Sequence, residues 1–229
     1  MFLVVVIMNK SKSVAHELKT PLAVIKTQID VLNQQDTITL EDYQSTLKVI
    51  ERTVGKMSDL LDTLLETNQD KSNLNEILNI EEIIQDVIED LDVIAKRKNI
   101  KLSYSINQNP ISYGNSVLMY RCLYNLVENA IKYNQTGGKV EIQCEACPLN
   151  YSIRILDNGI GIPNEKIDKI FEPYYRCEKS NKDGIGLGLA MVKSIVTLHK
   201  GHIIVESEMN QGSQFILNFP QLKKESIVL

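Results

Sequence analysis

Ser13-Val14-Ala15-His16-Glu17-Leu18-Lys19-Thr20-Pro21-Leu22 opens a stripe of apolar residues that continues through Ile25, Ile29 and Leu32. Taken from Val14, the spacings are four, four, three, four and three, which is one face of an α-helix. His16 lies two residues from both Val14 and Leu18. At about 100° per residue it points away from the stripe. A core histidine would sit within the stripe, whereas this one faces solvent beside the carboxylate of Glu17. An exposed histidine alone is ordinary surface, so its meaning depends on the rest of the chain.

The stripe predicts a first helix over residues 8–34, loosened by Pro21 one turn after His16. Gln34-Gln35-Asp36-Thr37 is a polar break, and Thr39 is a good N-cap for the next helix. That second helix carries Leu40, Tyr43, Leu47, Ile50, Val54, Met57, Leu61 and Leu64, a three-four repeat of the coiled-coil kind. Two such helices cannot bury both stripes as an isolated hairpin. A second copy completes a four-helix bundle, so the pattern predicts a homodimer.

Composition narrows the function. The 229 residues suffice for one large or two small domains. A net charge of -4 provides no basic field for nucleic acid. The four cysteines have no secreted framework spacing, and nothing reads as a cleavable secretory signal, so a reducing cytoplasm is the simpler expectation. Cys144-Glu-Ala-Cys147 lacks the second ligand pair of a zinc site. Cys144 fits instead the strand alternation Val140, Ile142, Cys144, Ala146. The apolar run Phe2 to Met8 is far short of the roughly 20 residues that span a bilayer. It reads either as the opening turn of a helix or, the preferred reading, as the stub of an upstream segment, residues 1–12.

The helical hairpin occupies 13–67, a polar linker 68–77, a second domain 78–220 and a tail 221–229. In the second domain Ile83 to Ile94 is an amphipathic helix and Ile100 to Ile106 a strand. Val117 to Tyr133 is a helix capped by Asn115 or Ser116, and Lys139 to Ala146 and Tyr151 to Leu156 are strands. Leu187 to His199 is a helix, and Ile203 to Glu206 and Ser213 to Phe219 form a hairpin across Asn210-Gln211-Gly212. Strands and helices do not alternate regularly. The fold class is therefore an α helical hairpin, forming a dimeric four-helix bundle, followed by an α+β two-layer sandwich.

Four segments of that sandwich suit a nucleotide. Asn125 and Asn129 share one helix face, and their carboxamide oxygens can ligate Mg²⁺, while Lys132 offers charge to phosphate. Asp157 ends a strand, where its carboxylate can accept a hydrogen bond from the amino group of a base. Gly159 and Gly161 then let the backbone turn close to a flat ligand. Gly184, Gly186 and Gly188 enter a helix N-terminus, where backbone N–H groups and the dipole favour an anion. Their G-x-G-x-G spacing is neither the dinucleotide fingerprint nor a P-loop. Between the glycine segments, Asn164 to Asp183 is a long charged stretch anchored by Phe171, Tyr174 and Tyr175, with Arg176 able to reach phosphate.

In this order the segments resemble the sensor histidine kinases of two-component signalling. The likeness covers nearly all of residues 13–220. Ser13–Leu22 resembles the H-box, Asn125–Tyr133 the N-box, Asp157–Pro163 the G1 box, Phe171–Arg176 the F-box and Gly184–Ala190 the G2 box. Asn115 departs from the Asp of many relatives, and the usual aromatic before the H-box histidine is absent. The resemblance implies a phosphotransfer hairpin followed by a Bergerat (GHKL) ATP-binding domain. It makes His16 the phosphoacceptor, Glu17 its activating neighbour and Thr20 a residue for dephosphorylating the partner. It makes Asn125 and Asn129 the Mg²⁺ ligands and Lys132 a phosphate contact. Tyr133 packs near adenine and Asp157 binds its amino group. Gly159, Gly161 and Ile162 shape the pocket, Tyr175 and Arg176 belong to the lid, and Gly184, Gly186, Leu187, Gly188 and Leu189 form its phosphate-side end. ATP and Mg²⁺ are the implied cofactors, and a response-regulator aspartate the implied recipient. The implied setting is a membrane-anchored protein with its kinase core at the inner face of the bacterial membrane. The alternative is an ATPase or nucleotide switch of the same fold without phosphotransfer.

Overall fold

The computed structural model describes residues 19–34, 38–68, 74–173, 175–177 and 186–221. His16, Glu17 and Gly184 lie outside the described residues. Backbone contacts divide the chain into two compact units, with residues 19–68 in one and residues 74–173 in the other.

The first unit is a helical hairpin. Helix α1 covers 19–33 and runs through Pro21, and α2 spans Leu40–Asn68. The start of α2 is fixed by a reciprocal cap. Thr39 Oγ1 accepts from the Asp42 N–H at 3.2 Å, and the Asp42 carboxylate accepts from the Thr39 N–H at 3.0 Å. The Thr39 hydroxyl also donates to the Asp42 carboxylate, and this bond, with the one from the Thr39 N–H, holds the Asp42 carboxyl below its usual range. Among the described residues of α2, polar Thr46 and Thr53 are the buried ones, and Thr53 Oγ1 donates to the Val49 carbonyl at 2.6 Å. By contrast Leu40 and Leu47 are 75% and 61% exposed, and Leu22, Ile29, Tyr43 and Val54 are also open. One copy therefore leaves much of its described apolar seam uncovered.

The second unit is a two-layer sandwich. Its strands are β1 (Glu76–Leu78), β2 (Lys101–Ile106), β3 (Ser112–Gly114), β4 (Lys139–Ala146), β5 (Asn150–Asp157), β6 (His202–Glu208) and β7 (Gly212–Pro220). Its helices are α3 (Ile80–Arg97), α4 (Ser116–Lys132) and α5 (Gly188–Leu198). Five strands form a mixed sheet in the order β2-β4-β5-β7-β6, with β2 parallel to β4 and the other pairs antiparallel. Strand residues Val140, Ile142, Cys144, Tyr151, Ile153, Ile155, Phe215, Leu217 and Phe219 are buried, and join the core with the inner faces of the three helices. Residues between them, such as Gln143 and Arg154, are only half-buried, the period-two pattern of a sheet with one packed face. Burial pushes the Cys144 thiol up to about 12, as befits a core residue.

One feature differs from the sequence expectation. Glu76 and Ile77, read as the end of a linker, pair with Gly114 and Tyr113 in a small β1–β3 sheet. Three-residue strands carry too little alternation to stand out in sequence. The α4 cap follows expectation, with Asn115 Oδ1 accepting from the Leu118 N–H at 3.0 Å; α3 has an unanticipated cap, Asn79 Oδ1 accepting from the Glu82 N–H.

Candidate active site

Helix α4 is the spine of the site. Its inner face, including Met119, Leu123, Leu126 and Val127, is buried in the core. That burial leaves Asn125, Asn129 and Lys132 half-buried. Asn125 Nδ2 donates to the Arg121 carbonyl at 2.9 Å. A carbonyl can only accept, so this bond fixes the carboxamide with Oδ1 turned outward. That oxygen meets the first residue of α5: a Cβ on Gly188 would stand 2.6 Å from Asn125 Oδ1. Among the described residues no side chain caps the start of α5, and the N–H groups of a helix's first turn look for acceptors outside the helix. A carboxamide oxygen beside a helix N-terminus suits a Mg²⁺-bound phosphate. Asn129 lies one turn after Asn125 on α4.

The other end of α4 meets the strand end. Tyr133 is the C-cap of α4, and its carbonyl accepts from the Ile160 N–H at 3.2 Å. Gly159 sits in this contact; a Cβ there would lie 2.6 Å from the Tyr133 carbonyl and 2.9 Å from Asp157 Oδ1. Asp157 Oδ1 accepts from the Gly159 N–H at 2.8 Å. Burial raises the Asp157 carboxyl above its usual range, opposed by hydrogen bonds from the Gly159 and Ser213 backbones. Gly161 has φ +71, and a Cβ there would reach 2.1 Å from the Glu208 carbonyl. The neighbouring Ile162 N–H donates to Ser207 Oγ at 2.8 Å. Tyr133, Asp157, Gly159, Gly161 and Ile162 thus form one continuous wall. The Lys132 ammonium lies 5.7 Å from the Tyr133 ring centroid.

The segment after Pro163 is partly pinned. A 3₁₀ turn covers Asn164–Lys166, and Lys166 Nζ donates to the Cys177 carbonyl at 2.7 Å. Phe171 and Tyr175 pack against the core, and Lys193 stands 5.5 Å from the Phe171 ring centroid. Arg176 is exposed. Gly186 has φ +82, a left-handed turn that favours glycine just before α5. Leu187 is buried, and Leu189 is half-buried against the core. Thr20 belongs to the other unit, on α1.

Several supporting residues escaped sequence reasoning. Lys98, at the end of α3, donates from Nζ to the carbonyls of Ile131 and Lys132 at 3.1 and 2.8 Å, capping α4 with a cation. Buried Asn134 donates to the Lys139 carbonyl at 3.0 Å, and Asn158 Oδ1 accepts from the Lys139 N–H at 2.6 Å. They tie the Tyr133 end of α4 to the Asp157 loop. Asn134 directly follows the helix motif, which is the one signal that could have marked it.

Comparison with known proteins agrees with this geometry. Residues 114–223 match the family described as histidine kinase-, DNA gyrase B- and HSP90-like ATPase, and residues 11–73 match the His kinase A (phospho-acceptor) domain. The chain is 31% identical over 214 residues to sensor histidine kinase RppB of Synechocystis sp., covering 90% of this chain and 47% of the relative. It is 30% identical to sensor protein RprX of Bacteroides fragilis, covering 93% of this chain and 43% of the relative. The chain thus spans about half the length of these curated relatives. Among solved structures, the catalytic domain of histidine kinase ThkA superposes with a TM-score of 0.58 at 26% identity, over 64% of this chain and 95% of that one. ThkA in complex with the response regulator TrrA shares the fold over 96% of this chain and 63% of that one, with a TM-score of 0.69 at 23% identity. A helical hairpin with a phospho-acceptor signature, joined to a Bergerat-type sandwich, is the core of a histidine kinase, and the chain belongs to that family of two-component sensors.

Proposed function

We propose that this chain transfers the γ-phosphoryl group of ATP to His16 and passes it to an aspartate on a separate response-regulator receiver domain. The observation that carries the reading is the junction of Asn125 Oδ1 with the start of α5, on the same helix α4 whose C-cap Tyr133 holds the loop after Asp157. Phosphates fit that junction and an adenine amino group fits Asp157. Asn125 and Asn129 would hold Mg²⁺, which supplies charge neutralisation at the phosphates. Lys132 adds a positive charge, and α5 backbone N–H groups orient the phosphate oxygens. Asp157 accepts from the base, and Tyr133 flanks it.

Imidazole is mostly neutral at pH 7, so the His16 lone pair can attack the γ-phosphorus. Glu17 takes or shares the proton of the other ring nitrogen. The bond to the bridging oxygen of ADP breaks as the N–P bond forms, leaving a phosphohistidine. Thr20 serves the reverse traffic by supporting removal of phosphate from the regulator. The open seam of Leu22, Ile29, Leu40, Leu47 and Val54 supports a homodimeric bundle. The reading puts this core on the cytoplasmic side of a bacterial membrane, in a longer protein like its relatives. Among the described residues no helix is long and apolar enough to cross a membrane.

The test is incubation with γ-labelled ATP and Mg²⁺, wild type beside His16→Ala. Alkali-stable, acid-labile label that disappears in the variant is the expected result. ATP hydrolysis without protein label would overturn phosphotransfer in favour of a nucleotide switch.

A further inference from the structure

His199 is a buried ring that no step above uses. It is 8% exposed and closes the C-terminus of α5 as its C-cap. Its Nδ1 lies 2.9 Å from the Ile195 carbonyl, and its Nε2 lies 3.0 Å from the backbone nitrogen of Asn115. A carbonyl only accepts and a backbone N–H only donates. The ring must therefore be neutral, with its proton on Nδ1 and its lone pair on Nε2. Gly114 leaves room for this contact, since a Cβ there would lie 2.4 Å from His199 Cδ2. The edge of Phe219 closes another side, ring centroids 6.5 Å apart and planes at 84°.

Asn115 is the N-cap of α4, so the ring ties the end of α5 to the start of α4. At the opposite end of the same helix pair, Gly188 at the start of α5 faces Asn125 on α4. The two helices are antiparallel and touch at two fixed points. Ten residues from Asn115 to Asn125 and eleven from Gly188 to His199 rise about 15 and 16 Å, at about 1.5 Å per residue. The lengths match to about one residue. Fixing one contact therefore fixes the register of the other.

We propose that His199 is a positioning residue for nucleotide binding: its Nε2 holds the Asn115 N–H and thereby keeps the Asn125 carboxamide against the first turn of α5. This rests on the nucleotide reading of that junction. His199 itself touches no ligand and acts through α4 and α5.

Three variants of the full chain separate positioning from mere packing. Gln at 199 can place Oε1 near the position of Nε2 and accept from Asn115. Asn reaches only the position of Nδ1, and Ala reaches neither. Each is titrated with a non-hydrolysable ATP analogue and Mg²⁺ by calorimetry, with thermal melting of the same samples. His199→Asn and His199→Ala should weaken affinity about tenfold, the worth of one backbone hydrogen bond, while His199→Gln stays within about threefold of wild type. If Ala does not fold, the contrast between Gln and Asn decides. Folded Asn and Ala variants that bind as wild type, or a Gln variant as weak as Asn, overturn the role of His199 alone. A wild type that binds no nucleotide overturns the reading of the site and this inference with it.

Discussion

Asn125 Oδ1 and Gly188 are fitted to each other: the glycine has no room for a Cβ, which would stand 2.6 Å from that oxygen. The contact joins the middle of α4 to the start of α5, so two sequence-distant motifs share one surface. Gly188→Ala should lower ATP affinity and autophosphorylation about tenfold or more, because the carboxamide must swing away or α5 must shift. Alanine also restricts the unfolded chain, which favours the fold by about 0.4–1 kcal/mol. Thermal melting should therefore show little loss while activity falls, and a parallel collapse of both would contradict a site effect.

Asp157 is held in a place that disfavours its charge. Burial raises its carboxyl above the ordinary value of 3.8 in the folded protein. A group whose folded pKa is raised contributes stability that is fully present below its unfolded pKa and is lost as pH rises through the folded one. At neutral pH the ionised side chain therefore costs stability. Asp157→Asn should leave the melting temperature at pH 7 equal or higher and reduce the gain on acidifying towards pH 4, while ATP affinity drops sharply. Melting curves at several pH values with parallel nucleotide titrations check both halves.

Gly161 supports the same wall through backbone shape. With φ +71 and the Glu208 carbonyl 2.1 Å from a would-be Cβ, no side chain fits. Gly161→Ala should cost about 1–3 kcal/mol of stability from strain and displacement. Urea unfolding measures it, and an unchanged midpoint would contradict a rigid β6–loop contact.

The hairpin seam predicts association. Leu47 is 61% exposed and Leu40 75% in one copy. If a second copy covers them, Leu40→Glu with Leu47→Glu should convert a dimer into a monomer in light scattering. The sandwich should keep its near-ultraviolet spectrum, because neither residue belongs to it. A dimer that survives both charges would place its interface elsewhere.

Much of this protein is legible in its residues alone. The alternation of Val140, Ile142 and Cys144 marks a strand, and the caps Thr39 and Asn115 mark helix starts. Asn125, Asp157 and the glycines mark chemistry. The short strands β1 and β3 are not legible, because three residues carry almost no period and are held by their partners. Lys98 and Asn134 are hidden for a related reason. Their roles are hydrogen bonds to backbone carbonyls, and a carbonyl has no letter in the sequence.

The sequence by itself determined the periods, the caps, the order of the motifs and the family they spell, since these depend on neighbours within a few residues. Only the tertiary structure decided that Thr46 and Thr53 are buried on α2 while Leu40 and Leu47 are open, that Asn125 turns its oxygen towards Gly188, and that His199 is neutral and tied to Asn115. Orientation, protonation and burial depend on which distant groups meet, and packing alone settles that.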